Sequence, residues 1–193
     1  MKITIHQPEH FPYMGFFQKM RQADLFVVLD NVNFRKNYFQ NRNKFLNKQG
    51  LDEWFGIPVP KKSPSTLIKD IIPVDRKINN WNKKVVSKLR HRFGIDFTDI
   101  YNQPTLLKIN MRSIEWARKK LNINNKIVYA SEIGAEGNKS LLLANICKEV
   151  GAKTYISGPS GRDYLDLKNF DNIDVEFFQP KVENYYSCLQ NLI

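Results

Sequence analysis

The run Leu25-Phe26-Val27-Val28-Leu29 is apolar at every position and offers no polar face to water. A strand of that kind is covered on both sides, as central strands of parallel sheets are. Upstream, Lys2 to His6 alternates and carries β-branched residues, which predicts a first short strand. Pro8 and Pro12 punctuate the next segment, and a helix is predicted from about Tyr13 to Gln22, with Phe16, Phe17 and Met20 on one side. Strand, helix, strand makes a βαβ unit, because parallel neighbours need a crossover connection and such crossovers are nearly always right-handed. Asp30 then leaves the second strand beside His6.

The final third repeats this order. It reads as strand Ile127-Val128-Tyr129-Ala130, helix Lys139 to Val150, strand Thr154-Tyr155-Ile156-Ser157 and strand Val175-Glu176-Phe177-Phe178. Asn138 is expected to cap the helix and Gly151 to end it. Between the two α/β portions, Asn31 to Lys62 breaks into shorter pieces around Tyr38-Phe39, Lys44-Phe45-Leu46 and Trp54 to Val59, with turn residues at Asn47-Lys48-Gln49-Gly50. This predicts a hairpin-rich insertion over residues 31–75, including a strand from Leu67 to Val74. Trp81, Val85, Val86, Leu89 and Phe93 recur at helical spacing until Gly94, and Ser113 to Leu121 carries a second helical stripe. The expected fold class is α/β, a mostly parallel central sheet with flanking helices, Rossmann-like or nucleotidyltransferase-like. With 193 residues and 42% hydrophobic content, one domain spanning 1–193 is expected.

No stretch approaches the roughly 20 apolar residues that span a bilayer, and the N-terminus begins directly with a strand. The expectation is a cytoplasmic protein. Cys147 and Cys188 show no CxxC or metal-like spacing and are expected as free thiols. The formal charge of +11 implies attraction to anions: nucleotides, sugar phosphates, RNA or an anionic membrane face. The competing reading is a lysine- and asparagine-rich background that keeps the protein soluble.

Three constellations carry candidate chemistry. The first is His6, Gln7 and His10, placed where an open parallel sheet receives ligands. An imidazole with its ordinary pKa of about 6.5 can accept a proton near neutrality. Pro8 separates the two histidines and keeps them off one helical face, which disfavours a two-histidine metal site, and no metal is expected. The alternative for His10 is a structural imidazole bonding the loop. The second is Gly158-Pro159-Ser160-Gly161-Arg162-Asp163, where glycines bring backbone N–H groups to an anion, Ser160 adds a hydroxyl and Arg162 a bidentate fork. Its alternative is a tight turn. The third is Asn31 to Lys44, where Arg35, Lys36 and Arg42 interleave with amides and aromatics and suit anion or RNA binding, while Phe34 and Phe39 read as core.

These segments resemble the WbqC-like family, named for a gene product of bacterial O-antigen clusters. The likeness lies in Ile5-His6-Gln7-Pro8 leading to Phe11-Pro12 and Gly15-Phe16-Phe17, in Ala23 to Phe34, in Gln40-Asn41-Arg42-Asn43, and in Tyr155 to Leu165. The tail, Ser187 to Ile193, resembles the family's closing helix cut short. The resemblance implies an α/β cytoplasmic protein in surface-polysaccharide assembly, where amino sugars on nucleotide carriers are acylated or aminoacylated. The histidine-containing helix entry is also similar to that of nucleotidylyltransferases and class I synthetases, without their HxGH pair.

The leading expectation is therefore a transferase that joins an acyl or aminoacyl group to the amine of a UDP- or dTDP-linked amino sugar. His6 or His10 takes the proton from the attacking nitrogen, and Gln7, Asn31 or Asn41 donates to the oxyanion. Arg42, Ser160, Gly161 and Arg162 hold the diphosphate, and Asp30 orients a histidine or binds a sugar hydroxyl. The donor is a coenzyme A thioester or an aminoacyl-tRNA. The alternatives are a non-catalytic RNA- or anion-binding module, and nucleotidyl transfer.

Overall fold

The four-residue strand Leu25–Val28 is apolar and buried at every position, and the eight-residue helix before it buries Phe16, Phe17 and Met20. The computed structural model describes residues 1–61 and 63–193; Lys62, which closes the predicted hairpin-rich stretch, lies outside the described residues. In chain order the elements begin β1 (Lys2–His6), α1 (Met14–Arg21), β2 (Leu25–Val28), β3 (Arg42–Leu46) and β4 (Asp52–Gly56). Next come α2 (Trp81–Phe93), α3 (Thr98–Tyr101), α4 (Leu106–Leu121), β5 (Lys126–Tyr129), α5 (Ala130–Ile133) and α6 (Lys139–Glu149). The chain closes with β6 (Thr154–Ser157), α7 (Gly161–Tyr164), β7 (Asp174–Phe177) and α8 (Leu189–Leu192). Two compact units result: Met1–Gln7, Gly15–Asp30 and Ile123–Glu183 form the first, and Pro8–Met14, Asn31–Asn122 and Asn184–Ile193 the second.

The first unit is an α/β sheet of five strands in the order β5-β2-β1-β6-β7, every neighbouring pair parallel. All four residues of β2 and of β6 are buried, the signature of strands covered on both faces. Phe16, Phe17 and Met20 of α1 supply part of that cover, with Phe16 packed on Phe26 at 5.4 Å between centroids. Asn125 donates from Nδ2 to the carbonyls of Met20 and Ala23, satisfying groups that the end of α1 leaves open. Because β2 and β5 lie on one side of β1 and β6 and β7 on the other, the strand order reverses between β1 and β6.

The second unit holds the β3–β4 antiparallel hairpin and helices α2 to α4. Its core is aromatic: Phe11, Phe45, Phe55, Phe97 and Tyr101 are buried, and Phe11 meets Phe97 edge to face at 5.1 Å. Phe11 has a positive φ of 41° that a bulky residue rarely adopts. The conformation is held from both sides, since its N–H donates to Ser113 Oγ (3.0 Å) and its carbonyl accepts from Asn43 Nδ2 (2.9 Å). The tail docks here too: Ser187 N–H donates to the Lys44 carbonyl and Cys188 N–H to the Pro12 carbonyl, and Leu189 is fully buried.

Three expectations need correction. Leu67 to Val74 forms no strand; Ile68–Asp70 is a 3-10 turn, because its buried side chains, Ile68 and Ile71, are three residues apart and match that turn's period. Tyr38-Phe39 lies in a turn before β3. The helix predicted from Ser113 starts at Leu106, capped by Thr105, whose hydroxyl accepts from Lys108 N–H at 3.2 Å. Asn138 precedes α6 as expected, but its side chain makes no capping bond.

Candidate functional site

The carboxyl edge of the parallel sheet brings together the first unit's candidate residues. β1 ends at His6 with Gln7 next in the chain, β2 runs out to Asp30, and β6 ends at Ser157, where the turn Gly158 to Gly161 begins. The edge is continuous in hydrogen bonding: Leu29 N–H donates to the His6 carbonyl and Phe178 N–H to the Ser157 carbonyl. Ligands of open α/β sheets sit outside the strand ends where the order reverses, here between His6 and Ser157.

His6 retains some exposed surface, while its Nδ1 is enclosed and its ring lies 4.8 Å from that of Phe16. Burial first, and the Lys19 ammonium second, hold its imidazole well below the ordinary histidine range. The ring is therefore neutral at pH 7. Lys19 was not singled out from the sequence, yet it is buried in α1 with Nζ 3.5 Å from the Ile5 carbonyl. Its signal was present: three residues after Phe16 and one before Met20, it falls on the helix's apolar face.

At the end of β6, Ser157 is fully buried, and its Oγ has no hydrogen-bond partner among the described residues. Gly161 packs directly on it, so close that a Cβ would stand 2.1 Å from Ser157 Oγ. The glycine is required for close approach, which fixes the start of α7. Ser160, Arg162 and Asp163 are exposed beyond it, and the Arg162 guanidinium lies 4.5 Å over the Phe177 ring at the end of β7. Asp30 is buried, and both its oxygens accept from Ser131, from N–H at 2.9 Å and from the hydroxyl at 2.7 Å. Its carboxylate thereby ties β2 to the start of α5, a role the sequence did not indicate because Ser131 lies 101 residues away.

The remaining candidates belong to the second unit. His10 is fully buried among Phe11, Phe55 and Tyr101, and its Nε2 is 2.8 Å from the Tyr101 hydroxyl. Asn110, whose Nδ2 donates to the carbonyls of Pro8 and Gln40, acts on the ring from nearby, but His10 Nδ1 and Asn110 Oδ1 each lack a hydrogen-bond partner among the described residues. Burial, partly offset by the Asn110 side chain, pulls the His10 pKa down to about 3.

Asn41 is equally engaged, accepting from Asn37 N–H and donating to the Ile57 carbonyl. Asn31 Oδ1 is buried without a hydrogen-bond partner among the described residues. Arg35 stands 4.7 Å over the exposed Tyr38 ring, Arg42 4.4 Å over exposed Trp54, and Lys36 is exposed. Cys147 and Cys188 are buried free thiols; burial raises the first to about 12 and the second also upward. Among the described residues, no helix is long and apolar enough to cross a membrane.

An open, all-parallel sheet with flanking helices and a strand order that reverses between β1 and β6 places the first unit among α/β proteins of the doubly wound kind. The chain belongs to the WbqC-like protein family, which it matches over residues 7–192. It is similar to the uncharacterized protein Rv1507c of Mycobacterium tuberculosis, with 26% identity over 192 residues that take in 90% of this chain and 79% of that protein. No solved structure matches the chain significantly.

Proposed function

We propose that the crevice at the carboxyl edge binds the diphosphate of a nucleotide-linked amino sugar, and that the protein transfers an acyl or aminoacyl group to the sugar's amine. The observation that carries this reading is the placement of a neutral imidazole, His6, and the Ser157-to-Arg162 turn on the two strand ends that flank the switch point. The N–H groups of Gly161, Arg162 and Asp163 close the turn itself, and the Ser160 backbone N–H, the Ser160 hydroxyl and Arg162 are the donors proposed for an anion. Buried Lys19 adds positive potential beside His6.

In the reaction, the sugar nitrogen attacks the acyl carbon of a coenzyme A thioester or an aminoacyl-tRNA ester. The C–N bond forms, the C–S or C–O bond breaks, and the nitrogen's proton passes to His6 and on to the leaving thiolate or alkoxide. Gln7, next along the chain, is the donor assigned to the developing oxyanion. His10, fully buried with its Nε2 on the Tyr101 hydroxyl, is not assigned a proton transfer.

A thermal-shift panel of UDP- and dTDP-linked amino sugars, coenzyme A thioesters and nucleoside triphosphates tests the reading, since a ligand selective for the folded state raises Tm. A nucleotide sugar is expected to raise Tm in wild type and to lose that effect in Arg162→Ala. His6→Ala is expected to bind the sugar but to transfer no acyl group. A folded His6→Ala protein with full transfer rate, or a panel in which no nucleotide sugar binds, overturns the assignment.

A further inference from the structure

The net charge of +11 is not spread over the molecule. The first unit carries 10 Lys and Arg against 11 Asp and Glu, a net of −1, while the second carries 20 against 8, a net of +12. Helix α2 concentrates it: Trp81–Phe93 contains Lys83, Lys84, Lys88, Arg90 and Arg92 and no acidic residue. Some of these cations are neutralised, Lys88 by Glu53 at 3.2 Å and Arg90 by Asp96. Lys48, Lys83, Lys84 and Arg92 have no carboxylate partner among the described residues.

Two further observations bear on what such a surface meets. Lys48, Lys88, His91 and Arg92, with Glu53, line a shallow cleft of about 340 Å³ between the β3–β4 turn and α2, and Lys83 and Arg90 line a second beside it, with Ser87 bordering both. A groove suits a strand of phosphates better than the broad face of a bilayer. The outward face of the hairpin also carries Trp54, 43% exposed, with Arg42 and Lys44 at 4.4 and 5.8 Å from its ring and Lys88 bonded to its carbonyl. Tyr38, equally exposed, sits beside Arg35. Aromatic faces bordered by cations along a basic groove are how proteins hold unpaired nucleic acid: phosphates meet the cations and bases stack on the rings.

We infer that the second unit binds single-stranded RNA across the β3–β4 hairpin and α2, with Trp54 as a stacking platform and Lys48, Lys83, Lys84 and Arg92 as phosphate contacts. None of these residues belongs to the first unit, so the inference stands whether or not a nucleotide sugar binds there.

The test is fluorescence anisotropy of the full-length protein with a labelled single-stranded RNA of about 20 nucleotides, a span of one to several stacking sites. Inorganic polyphosphate of matched charge and phosphatidylglycerol vesicles serve as base-free competitors. RNA is expected to bind with an affinity that falls linearly in log–log terms with salt, and the double variant Lys83→Glu, Lys84→Glu to flatten that slope. Trp54→Ala is expected to weaken RNA binding about tenfold while leaving polyphosphate binding unchanged, a split that charge loss alone does not produce. Polyphosphate or vesicles displacing RNA at equal charge concentration, or full RNA affinity in a folded Trp54→Ala protein, overturns the inference.

Discussion

His6 and His10 are the same residue type four positions apart, and their surroundings give them opposite uses. His10 is fully buried with its Nε2 on the Tyr101 hydroxyl and has a pKa of about 3; His6 keeps part of its surface exposed, and its pKa is depressed by burial first and Lys19 second. A base whose pKa is already low stays active into acid, so from about pH 8 to 6.5 wild-type kcat/KM is expected to fall only as the sugar amine of the free substrate protonates, with no added limb from His6. Lys19→Met removes the cation that disfavours the imidazolium, and its acid limb should move toward neutrality. Identical pH profiles in the two proteins would show that Lys19 does not act on the base. His10 makes a separate prediction about stability. The folded protein holds its pKa below the value of about 6.5 it has when unfolded. Between those two values the unfolded chain binds the extra proton, so stability is complete above pH 6.5 and declines as pH falls toward 3, by at most about 1.4 kcal/mol per pH unit. Urea unfolding at pH 7, 6 and 5 measures the slope, to which His6, also held below its ordinary value, adds its own share, and His10→Gln, which hydrogen-bonds without titrating, should remove the share due to His10.

At the scale of elements, the turn after β6 makes the strongest demand on sequence. Gly161→Ala would place a methyl 2.1 Å from Ser157 Oγ, and Ser157 is fully buried with no room to retreat. Overpacking of this kind costs about 1–3 kcal/mol, and the displaced turn should also lose affinity for any anion held by Ser160 and Arg162. Gly158→Ala, where a Cβ meets nothing within 4 Å, is the control and should leave both properties unchanged. Tm and ligand titration of the pair check this. The strands of the sheet were legible because Leu25 to Val28, buried on both faces, is uniformly apolar, and Thr154 to Ser157 carries β-branched and aromatic residues at its centre. Leu67 to Val74 misled for a related reason: isoleucines suggest a strand, but burial at Ile68 and Ile71 follows a three-residue period. Thr105 as a cap and the apolar Leu106, Ile109 and Met111 also mark the start of α4 in the sequence, a signal that a stripe read from Ser113 leaves out. No sequence pattern, by contrast, ties Asp30 to Ser131 or His10 to Tyr101, since those partners meet only when the chain folds.

For the whole molecule, the uneven distribution of charge is the property with the widest consequences. Taken as a single sum, +11 selects no partner; summed over Asn31–Asn122, which contains every Lys and Arg of the second unit, it already points to one part of the chain. Concentrating a net +12 in one unit also makes like charges repel within the folded state, and exposed cations such as Lys83 and Lys84 on α2 feel this most. Such repulsion acts over distances comparable to the Debye length, about 30 Å at 0.01 M salt and about 8 Å at 0.15 M, so added salt should relieve it. Relief of about 1 kcal/mol corresponds to roughly 2–4 °C in a protein of this size. Tm is therefore expected to rise by a few degrees between those two salt concentrations, and the variant Lys83→Glu, Lys84→Glu, with less repulsion to screen, should gain less. Differential scanning fluorimetry at both concentrations decides the matter. A wild-type Tm that falls with salt would mean that attractive pairs such as Lys44–Asp52 and Lys88–Glu53 outweigh the repulsion, and that the cations are arranged for the fold instead of being held apart for a polyanion.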